Sequence, residues 1–139
     1  MKRRRRKKLS RDLLGAIVAG DRSRVGALLR RGADAARGPL GNGATPLYTA
    51  AVQGETEIAR LLLAAGAPPD AESRGVGSEG TPLCAAACWG HTATVHELLA
   101  FGADPGLRED GGTGWTPLEW AERGAHAETA ALLVAAGGG

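Results

Sequence analysis

Thr81-Pro82-Leu83-Cys84-Ala85-Ala86-Ala87-Cys88-Trp89-Gly90-His91, running on to Leu98-Leu99-Ala100-Phe101-Gly102-Ala103-Asp104, is the stretch whose reading decides the fold. Its opening triplet also stands at Thr45-Pro46-Leu47 and at Thr116-Pro117-Leu118, 36 residues earlier and 35 later. A period of that size marks a stacked array, in which each repeat is one supersecondary unit. Aligned on the threonines, the chain repeats Ala50-Ala51, Ala86-Ala87 and Ala121-Glu122. Leu62-Leu63, Leu98-Leu99 and Leu133-Val134 follow, and then Gly66, Gly102 and Gly137. Laid backward, the same spacing finds a degenerate first copy in Leu13, Ala16, Gly20, Val25, Leu28-Leu29 and Gly32, with Arg11-Asp12 in place of Thr-Pro. Four units result, at about 9–40, 43–75, 79–111 and 114–139, within a repeat domain spanning 9–139.

Each repeated position has a physical reason. Thr serves as an N-cap, its hydroxyl accepting a hydrogen bond from a free backbone N–H. Pro at the next position loses nothing, because the N–H it lacks has no partner there. The alanines remove bulk and let neighbouring helices approach. Nine residues after Thr stand Gly54 and Gly90, suited to a left-handed helix end, with Ala125 in the last copy. A second helix follows, carrying Ile58, Leu62 and Leu63, or Val95, Leu98 and Leu99, at helical spacing. Gly, Pro, Asn and Asp then crowd the connections, as turns require. One such unit cannot bury its apolar face alone; stacking does it.

Composition narrows the function classes. The 139 residues are 43% hydrophobic but only 4% aromatic, which suits thin Ala- and Leu-rich helices. No run reaches the roughly 18 apolar residues of a membrane span. The start, Lys2 to Lys8, is basic like the first region of a signal peptide. Leu9-Ser10-Arg11-Asp12 follows where an apolar region belongs, so secretion is not expected and the chain reads as cytoplasmic. Seven cations at residues 2–8 leave ten basic residues against fifteen acidic ones in the body. Mutual repulsion and the lack of apolar anchors predict a disordered tail over 1–8.

The pattern resembles the ankyrin repeat. Thr81-Pro82-Leu83, Ala85-Ala86, Gly90-His91, Leu98-Leu99 and Gly102-Ala103-Asp104 carry the likeness, which covers everything after the basic tail. It implies an all-α solenoid of four helix-turn-helix repeats with protruding β-turn fingers. It also implies a non-enzymatic, monomeric module that binds a partner protein through its fingers and concave face. Tyr48, Cys84 and Glu119 replace the His the family usually has after Thr-Pro-Leu, so the bonds that His makes between repeats are expected to be missing. The connections 35–44, 71–80 and 105–115 are longer than the family's, so long, glycine-rich and more mobile fingers are expected. The polar first and last copies read as caps.

The family's partner-contacting positions fall here on Trp89, Trp115, Gln53 and Arg123, and in the fingers on Arg37, Asn42, Glu79, Arg108 and Glu109. Exposed Trp beside Arg is the composition of a binding hot spot. The alternative is that the Trp rings lie over Ala-rich helices as packing. Trp120 reads as packing, against the third repeat. A second function class rests on residues 2–8, which could grip nucleic-acid phosphates in a salt-dependent way.

No catalytic residue, cofactor site or metal site is expected. Gly75-Val76-Gly77-Ser78-Glu79-Gly80 spells a dinucleotide fingerprint, but it follows a helix and lies in a finger, without the strand-to-helix setting that motif needs. Cys84, Cys88 and His91 fall short of the four ligands of structural zinc, and small buried residues are the simpler reading of the cysteines. His91 and His126 stand ten residues after their Thr, where the resemblance implies a structural role at the second helix's start.

Overall fold

In a computed structural model describing residues 2–38, 43–75 and 78–138, every unit is a pair of helices. The first pair is α1 (Arg3–Val18) with α2 (Arg22–Arg30), and the second α3 (Pro46–Gln53) with α4 (Thr56–Ala64). Strands β1 (Ser73–Gly75) and β2 (Ser78–Gly80) precede the third pair, α5 (Pro82–Cys88) with α6 (Thr92–Ala100). A short turn, α7 (Glu109–Gly112), leads to α8 (Pro117–Arg123) and α9 (Ala127–Ala135). Two rows result: α1, α3, α5 and α8 pack side by side as the inner row, and α2, α4, α6 and α9 as the outer. The solenoid implied by the repeats is the fold observed.

The Thr-Pro caps form as their chemistry dictates. The hydroxyls of Thr45, Thr81 and Thr116 accept from the N–H of Tyr48, Cys84 and Glu119 at 3.1, 3.2 and 3.2 Å. In α8 the Glu119 carboxylate reaches back to the Thr116 N–H, completing a capping box. Leu13, Leu47 and Leu83 fill the core beneath the inner row, and Leu28, Leu62, Leu98 and Leu133 beneath the outer, each 0–1% exposed. Burying each such side chain contributes about 1.5–3 kcal/mol. Leu118 is only half-buried, because no described helix packs beyond α8.

The repeats are joined by polar ties as well. Thr56 and Thr94 share a hydroxyl hydrogen bond at 2.8 Å, and so do Thr92 and Thr129. Thr94 and Thr129 are almost wholly buried, so each pairing also satisfies a hydroxyl taken out of water. His91 Nε2 lies 3.0 Å from the Val52 carbonyl, and His126 Nε2 3.0 Å from that of Cys88. A carbonyl only accepts, so Nε2 carries the proton in both rings. Each ring thereby satisfies an orphan carbonyl at the end of the preceding inner helix. At the first junction this position is Glu55, whose carboxylate cannot donate. Gln53 makes the tie instead, its Nε2 donating to the Ile17 carbonyl at 3.0 Å.

Two expectations are corrected. The basic run is helical, since α1 begins at Arg3. Arg and Lys are good helix formers, and the helix extends from a segment already fixed by buried Leu9, Leu13, Ala16 and Ile17. There is thus no break between residues 8 and 9. The fingers, expected as loose excursions, are bonded to one another. The Arg74 N–H donates to the Gly43 carbonyl at 3.1 Å, the Asp104 N–H to Asp70 at 3.0 Å, and the Asp110 N–H to Glu72 at 2.6 Å. Around the Gly75–Gly80 stretch, β1 and β2 pair antiparallel with Ser73 opposite Gly80, and β1 is followed by a strand, not by a crossover helix. Val76 and Gly77 of that stretch lie outside the described residues.

Candidate functional site

The expected contact residues are spread along the array, from Arg37 before α3 to Arg123 in α8. Trp89 caps the C-terminal end of α5 and is 62% exposed, the most exposed of the large apolar side chains among the described residues. Trp115 is half-buried. Its ring centroid lies 4.6 Å from that of Trp120, the planes tilted by 52°, and the Arg123 guanidinium sits 4.1 Å from its centroid. Such stacking holds a ring in place, adding about 0.5–1.5 kcal/mol for the aromatic pair and about 0.5–1 for an exposed cation. The Trp pair is therefore not a matched pair of free anchors: one ring is open, and the other is held within its own repeat.

Arg108 and Glu109 are also engaged. Arg108 donates to the Gly114 carbonyl at 3.1 Å and to Glu119 Oε1 at 3.0 Å. The Thr116 N–H, with help from Arg108, holds the Glu119 carboxyl below its usual range. Glu109 turns inward. It accepts from the Trp120 indole N–H and lies against the Cys84 thiol. Burial raises its pKa, opposed by those two hydrogen bonds and reinforced by the nearby charges of Asp110 and Glu72. Burial pushes the Cys84 thiol far up, and raises Tyr48, next to the same carboxylate, to a lesser degree. The Cys84 thiol also points to the Trp115 carbonyl at 3.6 Å. Tyr48, Cys84, Glu109 and Trp120 thus form a partly dry seam where the second, third and fourth repeats meet.

The other expected residues lie elsewhere. Gln53 is spent on the tie to α1. Glu79 is exposed on β2, opposite Arg74. Arg37 is exposed in the first finger, where it shares a groove with Arg3, Arg6 and Lys7 of α1. Asn42 lies outside the described residues. His91 and Cys84 point to different partners, Val52 and Trp115, so the suspected ligand trio does not converge. Among the described residues no group of three or more His, Cys, Asp and Glu is arranged to hold a metal ion. Nor is any helix among them long and apolar enough to cross a membrane.

Sequence reasoning missed the partnership of Trp120 with Glu109. Trp120 does pack on the core and meets Glu109 of the third unit, and it also stacks on Trp115. The only signal was that Trp115 and Trp120 flank one helix start, five residues apart. That is not a helical-face spacing, and it becomes meaningful only once α8 begins at Pro117.

A helix-pair solenoid with its fingers linked in a row is a protein that presents a surface. This chain belongs to the ankyrin-repeat family: the family model for ankyrin repeats (3 copies) matches residues 13–109 and again 68–138. Ankyrin repeats are generally protein–protein interaction modules and are typically non-enzymatic. No curated protein matches the chain.

Proposed function

We propose that the array is a monomeric, non-catalytic, cytoplasmic binding module that docks a partner protein on its fingers and inner-helix face, with Trp89 as the anchor. The observation that carries this reading is the 62% exposure of the Trp89 ring on an inner helix, with no aromatic or cationic partner of its own among the described residues. An unsatisfied Trp at the centre of an array is the residue type that dominates measured binding energies. Arg123, supported by Trp115, and the exposed carboxylate of Glu79 set orientation by charge.

The test is a quantitative affinity capture from the native cell extract with wild type and Trp89→Ala, followed by titration of the recovered partner. The Trp89→Ala change is expected to weaken binding by at least about 2 kcal/mol, roughly 30-fold, while leaving the melting transition in place. Equal affinity for both proteins would show that the ring plays no part in docking.

A further inference from the structure

The basic run and the first finger together build a charged groove away from Trp89. Arg3, Arg6 and Lys7 lie three and four residues apart on α1, hence on one helix face, and Ser10 continues that face by one more turn. The groove beside them is closed by Gly32 and Asp34, just after α2, and by Arg37 and Gly38 of the first finger. Four cations from two separate parts of the chain therefore line one groove. Among the described residues no ion pair involves any of the four. The one acid present, Asp34, has a carboxylate oxygen that accepts from the Ala36 N–H at 2.8 Å.

This arrangement is unfavourable in isolation. The first turn of α1 holds no acidic residue, and its N-cap Lys2 makes no side-chain cap bond. The cations thus repel one another and the positive end of the helix dipole. An anionic partner offsets both. Residues 2–8 contain no apolar or aromatic side chain, so this part of α1 has no face to insert into a lipid surface. A phosphate backbone, which asks only for spaced positive charge, fits it.

We propose that the groove between α1 and the first finger binds the phosphate backbone of a nucleic acid, with Arg3, Arg6, Lys7 and Arg37 as the contacting cations. The site is independent of Trp89. Contact is sequence-blind and electrostatic, so it weakens steeply with salt. Four phosphates neutralised on B-form DNA give a log–log slope of about −3.6, or a loss of about 150-fold between 50 and 200 mM salt.

The test is fluorescence anisotropy of the full chain with a labelled 20-base-pair DNA duplex, a matching RNA duplex and anionic phosphatidylserine vesicles. Wild type is expected to bind the duplexes with the steep slope above. Arg37→Ala, far from the basic run in sequence, is expected to flatten the slope by about one. Arg5→Ala, which removes the same charge from the same run off the groove face, is expected to leave it unchanged. Equal effects of Arg37→Ala and Arg5→Ala would overturn the groove, since net charge alone would then set binding. So would absence of duplex binding at 50 mM salt, or vesicle binding that matches the duplexes at equal charge. Both substituted side chains are exposed, and an unchanged circular dichroism melt confirms that each variant folds.

Discussion

Replacing Gly90 with Ala should cost far more than its size suggests, and the reverse change at Ala125 should stabilise. Gly90 and Ala125 occupy the same place in successive repeats, and both are left-handed, with φ of 71° and 57°. For an L-residue that conformation costs about 1–2 kcal/mol. At Gly90 a second cost is added: a Cβ built there would stand 2.5 Å from His126 Nδ1, inside any permitted contact. The ring cannot retreat without losing its bond to the Cys88 carbonyl, worth about 1 kcal/mol. Offset by about 0.5–1 kcal/mol for the chain entropy that alanine spares, Gly90→Ala is therefore expected to cost about 1–2.5 kcal/mol in all. Over Ala125 no following repeat is described, so only the conformational cost applies. Ala125→Gly recovers it, less about 0.5–1 kcal/mol for glycine's greater chain entropy. The net gain is about 0.5–1 kcal/mol, or about 2–3 °C for a chain of this size. Urea denaturation followed by circular dichroism, at unchanged m-value, measures both. In a His126→Ala background the cost of Gly90→Ala should fall by at least about 1 kcal/mol, since the clash is gone and the dihedral penalty stays. Additive single and double variants, or a destabilising Ala125→Gly, would refute the reasoning.

Three further outcomes follow from the seam and the aromatic group. Glu109 has its folded pKa raised by burial, so protonation favours the folded state, and its contribution to stability declines as pH rises from the ordinary carboxylate range through the raised value. Glu109→Gln keeps an acceptor for Trp120 and removes the charge; it should be more stable than wild type at neutral pH, with the difference closing by about pH 4 in parallel urea titrations. Cys84 is 2% exposed and its thiol is pushed far up, whereas Cys88 is half-buried; native-state alkylation read by mass spectrometry should modify Cys88 first and Cys84 only on unfolding. Trp115→Ala should cost about 2 kcal/mol through the Trp120 and Arg123 contacts, whereas Trp89→Ala should cost less than about 0.5, both measured by thermal melts.

How far the sequence could be read depended on whether a residue acts on its own backbone or across a gap in the chain. Thr45, Thr81 and Thr116 cap helices three residues away, so their role was legible from the triplet alone. Leu62, Leu98 and Leu133 announce the core through their period. His91 and His126 were legible as structural by register, but their acceptors belong to the preceding repeat and appear only when helices stack. The basic run is helical despite its mutual repulsion because the adjoining Leu9 and Leu13, buried on the same helix, anchor it. Glu109 is a different case. A finger carboxylate reads as solvent-facing, and nothing local says that the finger folds back over Trp120 and Cys84.

The two junctions tied by histidine and the one that lacks it show which part of the tie the stack needs. A histidine ten residues after Thr does two things at once: it ties the preceding helix end, and its ring closes over the glycine there, within 2.6 Å of a Cβ at Gly54 and 2.5 Å of one at Gly90. The glycine is thus coupled to the histidine across the repeat boundary: no side chain fits at Gly54 or Gly90 while the ring is in place. At the first junction Glu55 stands in place of the histidine, its carboxylate 2.9 Å from where a Cβ would lie on Gly20, while Gln53 supplies the missing donor. The tie is kept although its residue is changed, which separates the bond the stack needs from the ring that usually makes it. Gln53, read from register as a contact residue, is instead held by the fold. Trp89, at the same register one repeat on, makes no such tie and is the most exposed large apolar side chain among the described residues.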